Sequence, residues 1–365
     1  MFSVRPITSR LFRQSLDAIA SEIHVVHPPQ RTVRRAAVFL PDAIDRIKGV
    51  QEETHLAYEM DRVNGGQVEH AATIAYRLDD VHLVEGRLLM RRGHVKLVHD
   101  ERRLIGPRHI GQQIECAAFT SSIVSDRYFG HALIDRSATS LLASDFAPVR
   151  HPQWQGMTPP PHLAWYEQLW GVNAPLLDDA AIGQAWVFQD FGMNAHRARR
   201  MQRMRQRIHT LRPQQPAPMA LILRGSDGAR RHLANEQALA DLLAARGACI
   251  VDPMRESAEN IAHMLAGVPL VIGVEGSALA HGLVAIADRG AMLIIQPPYR
   301  FNNLFKDYAD ALGLLYGFVV ADGSQDSFEL DPGRLLRAID LVQEELARPS
   351  GQVSDEPVPL LDRPV

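Results

Sequence analysis

The sequence predicts an α/β protein with two domains. Beyond residue 219, short apolar runs alternate strictly with helical patterns, which is typical of a parallel sheet covered by helices on both faces. Residues 68–99 instead carry short apolar runs separated by Gly86 and Gly93, which indicates a small antiparallel strand region in the N-terminal half. At 365 residues the chain is also too long for one ordinary hydrophobic core.

A proline-rich stretch separates the two halves. Pro213, Pro216 and Pro218 follow an arginine-rich helical pattern that they cannot continue, because proline has no backbone N–H. The composition changes again at Pro349, after which there is little periodicity. We therefore predict an N-terminal acceptor-side domain over 1–212, a linker over 213–218, a C-terminal ligand-binding domain over 219–348 and a flexible tail over 349–365.

The individual elements follow from periodicity and from glycine or serine at their ends. In the N-terminal half we predict strands within 81–98, a strand in 114–125, and helices over 128–142 and 163–171. In the C-terminal half we predict strands at 220–223, 249–251, 270–273, 292–296 and 315–320. Helices are predicted at about 235–246, from 257 onward, and at 277–288, 302–312 and 335–346. Parallel strands joined in this way bind ligands beyond their carboxyl ends.

Composition narrows the class of protein. The hydrophobic share is 46 %, the charged share 22 % and the net charge −3, which is typical of a soluble globular protein and gives no sign of a nucleic-acid partner. Cys116 and Cys249 cannot form a disulfide framework, and no apolar run is long enough to span a bilayer. We therefore expect a cytoplasmic protein. The arginine-bearing N-terminus leaves a transit peptide as the alternative.

One short stretch concentrates basic residues. We expect it to be a solvated helix face near a domain edge, with contact to an anionic surface such as a membrane as the alternative. The arginines in this stretch are Arg197, Arg199, Arg200, Arg203, Arg205 and Arg207.

The turn after the third C-terminal strand is the most informative junction. The sequence runs from an apolar strand through Glu275 and Gly276 into a helix beginning near Ser277 and Ala278. The first N–H groups of a helix lack partners within it, so a phosphate is favoured there, and Gly276 permits close approach of the backbone. The alternative is an ordinary strand-to-helix turn, since the sequence is neither G-x-G-x-x-G nor a Walker A loop.

A second candidate group follows the first C-terminal strand. Arg224 lies just after that strand, and Arg230 and Arg231 come shortly before the Asn235-Glu236 pair. A guanidinium group at the carboxyl end of a strand can bind a diphosphate through two hydrogen bonds. For Arg230 and Arg231, covering a helix surface is the alternative.

A candidate catalytic pair lies in the N-terminal half. His131 and Asp135 are four residues apart and share one face of the predicted helix. Either side chain could accept the proton of an incoming hydroxyl, and a helix-surface or capping role is the alternative. The sequence contains no D-x-D triplet, so a metal-held donor is disfavoured, and we expect no metal and no cofactor.

In this order, these segments resemble glycosyltransferase family 61, which includes capsular-polysaccharide-type enzymes. The resemblance spans roughly 81–320 and rests on 81–91 with Glu85-Gly86, on 128–135, on Arg224, Arg231 and Asn235-Glu236, and on 273–279. It implies a GT-B arrangement of two Rossmann-like lobes and metal-independent, inverting transfer from a nucleotide sugar. One departure concerns Glu275, because the family often has histidine at that position.

The resemblance also implies roles for residues. Asp135 or His131 would be the base, of which we favour Asp135, and the acceptor would be a glycan or a lipid-linked saccharide. The implied donor-binding residues are Arg224, Arg231, Asn235, Glu236, Glu275, Gly276, Ser277 and Ala278. Glu275 would orient donor hydroxyls, since an acid beside a diphosphate is unfavourable. The alternatives are a catalytically inactive homologue that binds nucleotide sugar or glycan and, less favoured without G-x-G-x-x-G, a Rossmann dehydrogenase or epimerase.

Overall fold

A computed structural model of the chain describes residues 2, 3, 5, 15–100, 102, 104, 106–225 and 231–348. The predicted flexible tail over 349–365 and Arg230 lie outside the described residues.

The N-terminal half is built on a mixed eight-stranded sheet. Its strands follow the order β11-β10-β9-β12-β5-β6-β7, and β2 also pairs with β5. The strands of this half are β1 (Phe2–Ser3), β2 (Glu22–His27), β3 (Gln30–Arg34), β4 (Gly66–His70), β5 (Thr73–Val84), β6 (Arg87–Met90), β7 (Gly93–Lys96), β8 (Arg108–His109), β9 (Gln112–Phe119), β10 (Val149–Pro152), β11 (Leu176–Leu177) and β12 (Ala180–Gln189).

The predicted antiparallel strand region is confirmed. Strands β5, β6 and β7 form consecutive hairpins, and β12 and β2 also run antiparallel to β5. Glu85 and Gly86 both have positive φ at the first hairpin turn, a conformation that suits a two-residue turn. On the other side of β12, strands β9, β10 and β11 are parallel to one another, and β9 is parallel to β12. The N-terminal sheet is thus only partly of the parallel type.

Short helices lie between the parallel strands. A separate short helix, Ile123–Arg127, follows β9, and the Ser122 hydroxyl caps it by accepting from Ser125 N. Tyr128 has an extended conformation and ends this helix. The predicted 128–142 helix then follows and is confirmed over 129–143. A π-helical turn interrupts it at Ala132–Arg136. The helices of this half are α1 (Leu16–Ile19), α2 (Leu56–Asn64), α3 (Ile123–Arg127), α4 (Phe129–His131), α5 (Ser137–Ala143), α6 (Leu163–Trp170) and α7 (Ala195–His209), with a 3-10 turn at Ile44–Arg46.

The C-terminal half contains the predicted parallel sheet. Its five strands are all parallel and follow the order β15-β13-β16-β17-β18. The strands are β13 (Ala220–Ile222), β14 (His232–Leu233), β15 (Cys249–Val251), β16 (Leu270–Val274), β17 (Ala291–Gln296), β18 (Leu315–Val320), β19 (Asp322–Gly323) and β20 (Ser327–Glu329). The helices are α8 (Glu236–Ala244), α9 (Ala258–Leu265), α10 (Leu279–Ala285), α11 (Leu304–Ala311) and α12 (Pro332–Ala347). The strand order reverses between β13 and β16, and such a reversal leaves a crevice at the carboxyl ends of the two strands.

Residues 37–64 cross from the N-terminal half to the C-terminal sheet. Val38 forms a parallel bridge with Gly317 at the edge strand β18, and Val50 forms one with Phe301. One hydrophobic core also combines side chains of both halves, among them Leu133 and Leu279. The two halves therefore pack closely, and the domain boundaries at 212 and 219 stay a prediction.

The arginine-rich helix α7 differs from the predicted solvated face. Arg197, Arg200 and Arg205 are at most 4 % exposed, whereas Arg199, Arg203 and Arg207 are exposed. Arg200 binds both oxygens of the buried Asp190 at 2.7 and 2.9 Å. The prediction was wrong for the three buried arginines, because buried carboxylates and backbone carbonyls bind their charged groups.

No helix among the described residues has both the length and the apolar character required to cross a membrane.

Candidate active site

A cleft between the two halves consists of three neighbouring cavities. The switch-point cavity, about 300 Å³, includes Arg224 and Ala278 in its lining. The central cavity, about 510 Å³, adjoins it at Arg231 and Ser277 and also includes His131 in its lining. The distal cavity, about 810 Å³, adjoins the central one at His131 and extends past Asp135. The cleft thus brings together candidate residues that are far apart in the sequence.

Arginine side chains converge at the carboxyl ends of β13 and β16. Arg231 donates to the Glu275 carbonyl at 2.7 Å and forms an ion pair with its carboxylate. The Arg300 Nε lies 3.6 Å from the same carboxylate, and Arg224 packs against the Gly276 backbone. Two guanidinium groups therefore form ion pairs with one carboxylate, and the charge of that carboxylate also acts on a third, that of Arg224.

Burial and mutual repulsion weaken the protonated state of these arginines. Burial lowers the pKa of Arg231 to about 10, and the charges of Arg224 and Arg300 act in the same direction although Glu275 opposes them. Burial also lowers the pKa of Arg224. A bound anion would offset both effects, because an opposite charge favours the protonated form.

The turn at Gly276 lies next to these arginines. Gly276 has a φ of +153°, and a Cβ atom there would lie 3.2 Å from Nη1 of Arg231. Within the described part of the chain, we find no hydrogen-bond acceptor for the N–H groups of Gly276, Ser277 and Ala278. Helix α10 begins directly afterwards, at Leu279. These N–H groups are compatible with an anion at the turn, and anion binding there stays a prediction.

Two predicted donor residues lie behind the cleft. The Glu236 carboxylate accepts from Arg224 N at 2.8 Å and from Gly225 N at 3.2 Å, so it holds the end of β13. The Asn235 side chain exchanges hydrogen bonds with the Leu330 backbone. Neither side chain lines any of the three cavities. Glu236 acts on the site through the Arg224 backbone, and Asn235 ties α8 to the residues before α12.

His131 and Asp135 form a pair on the opposite wall. The His131 Nδ1 lies 2.5 Å from Oδ2 of Asp135, as their spacing predicted, and Asp135 belongs to the π-helical turn. Such turns are frequent at functional sites. Asp135 also accepts from Tyr308 Oη at 2.9 Å and from the buried Arg197. No partner for the His131 Nε2 is found among the described residues, so this nitrogen can face the cleft.

The environment of Asp135 favours its ionised form. Burial alone would raise the pKa of Asp135, but the Arg197 charge and the hydrogen bonds from His131 and Tyr308 outweigh burial and lower it below the ordinary value. A carboxylate whose pKa is lowered and that already accepts hydrogen bonds from three side chains is a weak proton acceptor.

The two halves meet closely at this point. A Cβ atom on Gly130, one residue before His131, would lie 3.3 Å from Cα of Ser277. Glycine therefore lets α4 approach the turn at 276–278, and His131 and Gly276 line the same central cavity.

Sequence reasoning missed Arg300, Asn302, Arg197 and Tyr308. Arg300 and Asn302 follow β17, and the Asn302 Nδ2 lies 3.5 Å from the Glu275 carboxylate. Because ligands bind beyond the carboxyl ends of parallel strands, the position of these two residues after β17 could have identified them as site residues. Arg197 and Tyr308 reach Asp135 from distant segments, and no local pattern marks them.

Among the described residues, no group of three or more histidine, cysteine, aspartate or glutamate side chains is arranged to hold a metal ion.

Comparison with known proteins addresses the segment that carries most of this site. Residues 129–292 match the family model described as Glycosyltransferase 61. No curated protein shows significant similarity to the chain. The matched range contains His131, Asp135, Arg224, Glu275 and Gly276. The match over residues 129–292 to glycosyltransferase family 61 confirms the resemblance seen in the motifs and supports glycosyltransferase activity.

Proposed function

We propose that this protein is an inverting, metal-independent glycosyltransferase that moves a sugar from a nucleotide-sugar donor to a hydroxyl acceptor. The observation that carries the proposal is the arrangement of one cleft. It places a cluster of three arginines, Arg224, Arg231 and Arg300, on one wall and a His131–Asp135 pair on the other. The two halves would then act as the lobes of a GT-B enzyme.

The arginine cluster suits a diphosphate. Guanidinium groups bind phosphate oxygens through paired hydrogen bonds, and the diphosphate of a nucleotide sugar carries the negative charge that such a cluster favours. The N–H groups of Gly276 and Ser277 would add donors where negative charge develops on the leaving group. Arginines and amides would thus supply the stabilisation that a divalent cation supplies elsewhere.

In this proposal Glu275 does not bind the sugar but holds Arg231 in place. Its carboxylate is 8 % exposed, and Arg231, Arg300 and Asn302 surround it. The ion pair offsets the repulsion between an acid and a diphosphate and holds the guanidinium of Arg231 at the turn. Glutamate in place of the family's frequent histidine is therefore compatible with an active site.

His131 is the better candidate for the base. Asp135 accepts the His131 Nδ1–H and so leaves Nε2 with a lone pair. In the proposed step, Nε2 takes the proton of the acceptor hydroxyl while the hydroxyl oxygen bonds to the anomeric carbon. The bond from that carbon to the diphosphate oxygen breaks, and its electron pair leaves with the nucleoside diphosphate. Attack opposite the leaving group inverts the anomeric centre.

The setting of this reaction is part of the proposal. We place the enzyme in the cytoplasm, where nucleotide sugars would reach it, and in polysaccharide or surface-glycan assembly with a glycan or lipid-linked saccharide as acceptor. The support is the family match together with the open distal cavity beyond His131.

The test begins with thermal-shift screening against a panel of nucleoside diphosphates, because a selective ligand raises the melting temperature by mass action. Donor hydrolysis is then measured for wild type, His131→Gln and Asp135→Asn with the matching nucleotide sugars. We expect a loss of about 10²-fold or more for His131→Gln, and partial rescue of His131→Gly by added imidazole. Asp135→Asn should be impaired without rescue by imidazole.

The same experiment decides between this proposal and a binding module. Nucleotide binding without turnover of any donor in the wild-type protein would identify a catalytically inactive homologue. Full activity in His131→Gln with none in Asp135→Asn would assign the base to Asp135 instead.

A further inference from the structure

The distal cavity lies on the side of His131 away from the arginines. Arg224, Arg231 and Arg300 line the switch-point or central cavity, and none of them lines the distal one. Inverting displacement requires the nucleophile to approach from the face opposite the leaving group. If the leaving group lies at the arginines, as the proposed function states, the acceptor must therefore enter through the distal cavity.

Exposed apolar side chains gather around this cavity. Phe191 is 74 % exposed, and Tyr58 and Val124 are each 44 % exposed. All three line the distal cavity, on segments far apart in the sequence. Single exposed apolar side chains are common on proteins, but their grouping on the walls of one groove marks a binding surface.

Phe191 stands on a firmly held turn. The preceding Asp190 binds Arg200 through both oxygens and also accepts from Thr73 and Thr139. The following Gly192 packs so closely on the Ala71 backbone that no side chain would fit there. The ring is therefore exposed although its backbone is fixed on both sides, and a fixed aromatic side chain loses little conformational entropy on binding.

Polar groups accompany the aromatic ring. Asp61 and Gln67 are exposed and line the same cavity, and both can hydrogen-bond hydroxyl groups. A pyranose combines an apolar C–H face with a rim of hydroxyls. It therefore matches a cavity whose lining includes the aromatic ring of Phe191, the carboxylate of Asp61 and the amide of Gln67. A fatty chain would leave those polar groups without partners.

We propose that the distal cavity is the acceptor subsite, and that it binds a pyranose ring of a saccharide acceptor against the exposed face of Phe191. This inference rests on the proposed function for its direction of approach. Phe191 acts in it as a specificity-determining residue that contacts substrate, whereas His131 carries the proton transfer.

The test uses ligand-observed saturation-transfer NMR with the full chain and a panel of methyl pyranosides, including the gluco, galacto and xylo forms. Variants are Phe191→Ala, Phe191→Trp and, as the matched control, Leu176→Ala, whose side chain is 49 % exposed and lines none of the three cavities. We expect Phe191→Ala to weaken binding of at least one pyranoside by roughly fivefold. Phe191→Trp should retain that binding, and Leu176→Ala should equal wild type.

Two further readouts separate the possible failures. Nucleoside diphosphate binding, measured on the same samples, should be unchanged by Phe191→Ala. If wild type binds no nucleoside diphosphate, this result counts against the proposed function and not against saccharide binding in the distal cavity. The acceptor proposal is overturned if no pyranoside binds to wild type, or if Phe191→Ala binds the pyranosides as wild type does. Binding of octyl glucoside below its micelle concentration, without binding of methyl pyranosides, would also overturn it and point to lipid recognition.

Discussion

Gly276 lies directly against the guanidinium group of Arg224, so closely that a Cβ atom at residue 276 would collide with Nη1 of Arg224. The two residues follow β16 and β13, the neighbouring strands between which the strand order reverses. Their contact brings a strand-end arginine onto a turn whose N–H groups have no acceptor among the residues that the structure describes. Several predictions of the proposed donor site depend on this arrangement.

Gly276→Ala should displace Arg224 and weaken nucleoside diphosphate binding by about tenfold or more, the effect of losing one charge-assisted contact. The backbone at φ +153° adds a strain of about 1–3 kcal/mol. Isothermal titration gives the affinity and urea unfolding the stability. Gly313→Ala is the matched control, since Gly313 has a φ of +67° with no heavy atom within 4 Å of the added Cβ. Equal affinities for the Gly276 variant and wild type would argue against the donor site.

Arg300→Gln should also weaken diphosphate binding by about tenfold, because it removes one of the three positive charges around Glu275. Its side chain is 29 % exposed, so we expect the free energy of unfolding to change little. The difference from wild type should shrink at high salt, since screening weakens the partly exposed charge. The exposed Arg203 on α7 provides the control as Arg203→Gln; an equal loss of affinity in both variants would indicate a nonspecific charge effect.

Asp190→Asn should lower the free energy of unfolding by about 3–5 kcal/mol, because it leaves the buried Arg200 without its bidentate partner. Urea unfolding followed by circular dichroism measures this change. Arg203→Ala, on the exposed face of the same helix, should stay within about 0.5 kcal/mol of wild type. A small effect of Asp190→Asn would mean that α7 does not depend on its buried ion pairs.

His281 should make folding stability fall in mild acid. Burial lowers its pKa from 6.5 to about 3, so below pH 6.5 the unfolded chain binds a proton that the folded chain does not. The resulting loss of stability approaches about 1.4 kcal/mol per pH unit until the folded pKa is reached. In His281→Asn, which can still accept from the Tyr166 hydroxyl, the loss between pH 7 and 5.5 should be about 1 kcal/mol smaller than in wild type. Urea unfolding at the two pH values measures the difference, and equal losses in both proteins would contradict the prediction.

Local patterns determined several features of this protein. Alternating apolar runs and helical periods predicted all five strands of the C-terminal parallel sheet, and glycine spacing predicted the antiparallel hairpins. The spacing of His131 and Asp135 predicted their contact, because residues four apart meet on any helical turn. The segment 273–279 and its neighbours were sufficient to indicate the family. Each of these features depends on residues close together in the sequence.

Only the tertiary structure decided which distant side chains share an environment. From the sequence, Arg197 is one of several basic residues on a helix that was predicted to be solvated. In the structure its side chain is buried and forms an ion pair with Asp135. The sequence predicted Glu236 as a donor ligand, but its carboxylate accepts a hydrogen bond from the Arg224 backbone. Arg300, which follows the strand β17, forms an ion pair with Glu275. Charge pairing and burial depend on how β9, β13, β16 and β17 are arranged in space. The periodicity of one segment carries no information about the side chains that another segment places beside it.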